Sequence, residues 1–115
     1  MTLKDLSPKD VADALAAHKI VLIDVREPSE YAAERIPGAL LFPLSTFDPK
    51  ALPDSGGRTV VFHCGVGMRS AKAVAMCQAA GLKLDSHLAG GLKAWKAANL
   101  PTMTVDPASG QVTTR

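Results

Sequence analysis

The chain has 115 residues, enough for one domain and little more, and a hydrophobic content of 47% sets it among packed globules rather than disordered segments. Aromatic residues make up only 4%, so the core must be built from Ala, Leu, Val and Ile. The net charge is +2 with Lys and Arg spread along the chain, which excludes the concentrated basic face that nucleic-acid binding requires.

The N-terminal MTLKDLSPKD lacks the apolar core of a signal peptide. No apolar run approaches the roughly 18 residues of a membrane span. The expectation is therefore a cytoplasmic protein without a membrane segment in this chain, its thiols reduced. Ser7-Pro8-Lys9-Asp10 reads as a helix start, with Ser7 as cap and Pro8 at the first helical position. Val11, Ala14 and Leu15 supply the apolar face of that helix. IVLIDV, residues 20–25, is a near-continuous apolar run, as a strand buried on both faces reads. Glu27-Pro28 opens a short helix carrying Tyr31, and Ile36-Pro37-Gly38-Ala39 breaks it. A short strand is expected over 40–44, interrupted by Pro43, followed by a surface loop over 48–58.

TVVFHC, residues 59–64, reads as the second buried strand. A helix is expected from Ser70 to Ala80, stopped by Gly81, and a short strand from Asp85 to Ala89. LKAWKAANL after Gly90-Gly91 gives the last helix. Pro101 onward shows no period, so the chain divides into a domain, 1–101, and a flexible tail, 102–115. Buried strands alternating with helices imply an α/β fold: a small central parallel sheet covered by helices on both faces. Ligands of such sheets bind beyond the carboxyl ends of the strands, and Cys64 lies at such an end.

The two cysteines, Cys64 and Cys77, form no C-x-x-C pair, and Cys64 and His63 fall on opposite faces of a strand, which argues against a metal site. Cys77 lies about two helical turns from the loop, too far for a disulfide to Cys64, and reads as a core residue. Cys64 has a different setting. Gly65 and Gly67 let successive backbone N–H groups turn inward as an anion-binding nest. A helix N-terminus adds partial positive charge, and Arg69 adds a full one. Together these favour a partly exposed thiolate over a thiol. Arg69 either binds substrate or holds the loop, with Asp24 or Glu30 as a carboxylate partner. His63 is expected to point away from the pocket, His87 has no partner motif and is left outside the site, and Trp95 reads as packing.

In this order and spacing, DVREPSEY (24–31), RIPGA (35–39), the loop from Cys64 to Arg69 with Ser70, and GGLKAW (90–95) resemble the rhodanese-like domains, the single-domain sulfurtransferases. The resemblance runs from about Leu6 to Pro101. It implies a sulfurtransferase of the thiosulfate (rhodanese) type working without a cofactor. Cys64 would be the nucleophile that carries sulfur as a persulfide, surrounded by the backbone of Gly65, Val66, Gly67, Met68 and Arg69. Asp24, Glu30 and Ser70 would support it. It also implies a small sulfur donor such as thiosulfate and a thiol or cyanide acceptor, a thioredoxin-like or other acceptor protein among them. Other classes that use such a thiol are a redox or nitric-oxide sensor, a sulfur-carrier domain, and a phosphatase or arsenate reductase, whose loop is one residue longer. Two features depart from the family pattern. Arg35 stands where histidine is frequent, and Gly65 and Met68 stand where basic residues often occur. A weakly charged donor is therefore expected to be used better than thiosulfate.

Overall fold

A computed structural model describes residues 2–115. Its centre is a five-stranded parallel sheet in the order β1-β6-β5-β2-β4. The strands are β1 (Lys4–Leu6), β2 (Ile20–Asp24), β4 (Leu40–Leu41), β5 (Thr59–His63) and β6 (Ser86–Leu88). The helices are α1 (Pro8–Ala16), α2 (Pro28–Ala33), α3 (Met68–Ala79) and α4 (Gly91–Ala97).

The two apolar runs occupy neighbouring central strands, paired in register from Ile20–Thr59 to Asp24–His63. Side chains alternate along each strand. Ile20, Leu22 and Val61 therefore join Val11, Leu88, Leu92 and Trp95 in one core layer. Ile23, Val25, Val60, Phe62 and Cys64 join Ala73, Val74 and Cys77 in the other. Both faces are covered, which is why neither strand alternates polar with apolar residues. The two layers use mostly aliphatic side chains. Phe62 adds an edge-on contact to Phe47, with ring centroids 5.9 Å apart.

Local signals account for several boundaries. The Ser7 hydroxyl accepts from the Asp10 N–H at 3.1 Å, closing the start of α1. Glu27 and Glu30 form a reciprocal capping box at the start of α2. One strand is added to the expected elements, and two expectations are corrected. Lys4–Leu6 is a strand, because pairing with β6 supplies the hydrogen bonds that three residues could not organise alone. The strand expected over 40–44 ends at Leu41 and gives way to a 3-10 turn over Leu44–Thr46.

The second correction concerns residues 102–115, expected as a flexible tail. Here β7 (Met103–Val105) and β8 (Val112–Thr114) form a hairpin, and β7 pairs antiparallel with β3 (Glu34–Arg35). Trp95 Nε1 donates to the Pro101 carbonyl at 2.8 Å, and the Thr102 hydroxyl donates to Glu34 at 2.6 Å. These contacts bring the segment to an edge that the sequence does not advertise. Among the described residues no helix is long and apolar enough to cross a membrane.

Candidate active site

Strand β5 ends at His63, and α3 begins at Met68, two residues earlier than the sequence suggests. The intervening turn folds back over the Cys64 side chain. Gly67, with φ of 103°, sits in the left-handed region that side-chain-bearing residues avoid. That conformation aims its N–H at Cys64 Sγ, 3.1 Å away, and the Ser70 N–H reaches the same sulfur at 3.3 Å. The thiol is fully buried rather than partly exposed, because the loop encloses it. Above it the Val66 and Met68 side chains project outward, with Met68 78% exposed.

Burial by itself pushes the Cys64 thiol up. It is outweighed by the Ser70 N–H, the Ser70 hydroxyl and the N–H groups of Gly67 and Val66, so the thiol lies below its ordinary value. Arg69 attracts the Cys64 thiolate through its charge, as expected, but its main engagement is with a carboxylate. Its guanidinium grips Glu30 with two nitrogens, Nη1 to Oε1 at 2.6 Å and Nη2 to Oε2 at 3.0 Å. Glu30 is correspondingly held down to about 2, chiefly by that hydrogen bond. Arg69 thus ties the loop to α2. Gly65 leaves room for it, since a Cβ there would come within 3.2 Å of Arg69 Nη2.

Asp24 is the other carboxylate the sequence offers to Arg69, and it is engaged elsewhere. Arg26 holds it through Nε and Nη2 at 2.9–3.1 Å, with both side chains buried. His63 Nε2 lies 3.3 Å from Asp24 Oδ2, close enough for attraction but not aligned as a hydrogen bond. Burial raises Asp24, yet His63 and Arg26 hold it down to about 2. The Arg26 Nη2 also donates to the Glu34 carbonyl at 2.6 Å. Asp24, Arg26 and His63 therefore brace the layer beneath the loop and stand on the opposite face from Cys64. Arg26 is missing from the residues singled out in the sequence, although it lies within DVREPSEY.

The GGLKAW segment closes the site from the other side. The Leu92 and Lys93 N–H groups, at the start of α4, donate to the Cys64 and Gly65 carbonyls at 2.8 and 3.0 Å. Engaging those carbonyls outward leaves the loop's N–H groups facing the sulfur. Gly91 makes the contact possible: a Cβ there would run into Cys64 O and lie 2.7 Å from the Gly65 backbone. Beside Gly65 opens a cleft of about 370 Å³ lined by Arg26, Glu30, Leu92, Lys93 and Lys96. Lys96 is paired with Glu34 at 2.9 Å. Lys93 makes no ion pair among the described residues. The rim beside the loop is therefore more cationic than Gly65 and Met68 suggest, because the charge comes from α4.

Two further residues are corrected or placed. His87, left outside the site by the sequence, joins it: its Nδ1 is 2.8 Å from Ser70 Oγ, which in turn lies 3.6 Å from Cys64 Sγ. The sequence around His87 holds no sign of this, because the contact spans β6 and α3. Cys77 is buried in the core layer, and burial pushes its thiol up. Among the described residues no cluster of metal-ligating side chains occurs.

A family model for the rhodanese-like domain matches residues 7–98. The chain is 40% identical over 98 residues to an uncharacterized protein of Synechocystis, covering 85% of this chain and 55% of that one. It is 30% identical over 100 residues to a protein named sulfurtransferase in Allochromatium vinosum, covering 86% and 94% respectively. The crystal structure of a rhodanese-related protein from Thermoplasma volcanium superposes with a TM-score of 0.73 at 25% identity, covering 86% of this chain and 96% of that one. The chain spans about half the length of the Synechocystis relative and about a quarter of longer mycobacterial ones.

Proposed function

We propose that this chain, which belongs to the rhodanese-like domain family, is a sulfurtransferase that carries a sulfane sulfur on Cys64. The observation that supports this most is the pair of backbone N–H groups, from Gly67 and Ser70, converging on the Cys64 sulfur. A nest of this size stabilises a thiolate and then a persulfide anion in the same place. With thiosulfate as donor, the Cys64 thiolate attacks the outer sulfur. The new S–S bond forms as the bond to sulfite breaks, and sulfite leaves with the electron pair. An acceptor thiolate or cyanide then attacks the outer sulfur of the persulfide, and Cys64 departs as thiolate.

Asp24 and Glu30 support this chemistry indirectly, Glu30 by anchoring Arg69 and Asp24 by anchoring Arg26. With both terminal guanidinium nitrogens on Glu30, Arg69 is not free to clasp a tetrahedral oxyanion, which favours sulfur over phosphoryl transfer. The cleft beside Gly65 and its free Lys93 suit an anionic donor or acceptor.

The test is intact mass after incubation with thiosulfate. The wild type gains one sulfur, about 32 Da, and loses it to cyanide. Cys64→Ser gains nothing, and Cys77→Ser behaves as wild type. Sulfur uptake by Cys64→Ser would refute the assignment.

A further inference from the structure

The buried polar groups behind the loop form a line that sulfur loading through the nest does not require. Asp5 on β1 and His87 on β6 are register partners, and His87 Nε2 lies 2.6 Å from Asp5 Oδ1. On its other side, His87 Nδ1 lies 2.8 Å from Ser70 Oγ. Ser70 Oγ is within reach of the Cys64 thiol, which donates to it at 3.6 Å. Ser70 and His87 are buried, whereas the Asp5 side chain is 68% exposed. The line therefore runs from the enclosed sulfur to the surface.

We infer that Asp5, His87 and Ser70 form a proton relay that carries the Cys64 thiol proton away from the closed loop. With Nε2–H donating to Asp5, Nδ1 presents its lone pair to Ser70. The Cys64 S–H proton passes to Ser70 Oγ, while the hydroxyl's own hydrogen passes to His87 Nδ1. The products are a Cys64 thiolate accepting from the Ser70 hydroxyl and an imidazolium held between Ser70 Oγ and the Asp5 carboxylate. No charge is gained or lost along the line, and only O–H, N–H and S–H bonds change. The loop amides of Gly67 and Ser70 hold the anion, and Asp5 holds the cation.

Among the described residues, Asp5 and, through Ser70, Cys64 are the titratable groups facing His87. Its register partner on β5 is Phe62, α3 presents the Ser70 hydroxyl, and the loop presents Gly67. Arg69 is turned to Glu30. Lys4 and Asp85 flank the pair along β1 and ahead of β6.

His87 and Asp5 act through Ser70 and are positioning residues rather than groups that touch substrate. The inference rests on Cys64 as the nucleophile proposed above, but its test needs no sulfur donor, so each can fail alone. Thiolate absorbance in the ultraviolet is followed against pH, with Cys64→Ser as blank. His87→Asn keeps a hydrogen-bonding side chain and loses the imidazolium, so the thiolate inflection should move up by about one pH unit or more. Asp5→Asn, at an exposed position that tolerates change, should move it the same way by less. In the wild type, the His87 imidazole NMR signals should show a step at the thiolate inflection, and that step should vanish in Cys64→Ser. Superimposed thiolate curves for the wild type, His87→Asn and Asp5→Asn would overturn the relay. So would imidazole signals that ignore Cys64.

Discussion

Replacing Gly91 with alanine tests whether α4 shapes the sulfur site. Gly91 has φ of +60°, and a Cβ there would lie 2.7 Å from both the carbonyl carbon and oxygen of Gly65, besides striking Cys64 O. The left-handed conformation alone costs an alanine about 1–2 kcal/mol. Relieving the overlap by moving backbone costs about 1–3 kcal/mol more. It also strains the Leu92 and Lys93 hydrogen bonds to the loop carbonyls. Gly56→Ala is the control, since its φ is +63° but nothing lies within 4 Å of its added Cβ. Urea unfolding should place Gly56→Ala about 1–2 kcal/mol below wild type. Gly91→Ala should fall a further 1–3 kcal/mol or so below that. The Cys64 thiolate inflection should move toward the free-thiol value in Gly91→Ala and stay put in Gly56→Ala. Equal stability losses with an unmoved inflection in both would refute the claim that α4 sets the loop's N–H groups on the sulfur.

In the wild type, Cys64 should titrate below an ordinary thiol, read by thiolate absorbance; an inflection near about 8.5 would remove the case for the nest. Asp24→Asn should cost about 3–5 kcal/mol, because it leaves the Arg26 charge buried without its partner; urea unfolding measures it, and a loss under about 1 kcal/mol would show the pair to be dispensable. Asp24 is lowered from 3.8 to about 2 by folding, so its contribution is present above about pH 4 and is lost as pH falls toward 2. Acid unfolding should therefore be shallower below pH 4 in Asp24→Asn than in the wild type. Met68→Lys should lower the apparent KM for thiosulfate about threefold to tenfold at low salt and less as salt rises, and Lys93→Glu should raise it. A neutral persulfide donor should respond less, and equal responses would show that rim charge does not limit thiosulfate use.

The sequence alone carries the two central strands, because a strand buried on both faces must be apolar almost throughout, as IVLID and TVVFH are. It also carries the cysteine nest, since only a glycine-rich turn between strand and helix can fold N–H groups back onto a side chain. It leaves open which carboxylate Arg69 meets. Asp24 and Glu30 are chemically equivalent candidates, and the choice fell to the α2 capping box, which holds Glu30 in reach while Arg26 claims Asp24. Neither β1 nor the β7–β8 hairpin is visible in the sequence, because a three-residue strand has no period of its own and exists only where a partner edge meets it. His87 is the clearest case. A single histidine has no motif around it, and its place beside Cys64 follows from the parallel order β1-β6-β5, which sets Asp5 against it, and from α3, which carries Ser70 to its other nitrogen. Local chemistry thus singled out the proposed nucleophile, and contacts between residues distant in sequence decided what surrounds it, because hydrogen bonds across a sheet depend on register and not on neighbours in the chain.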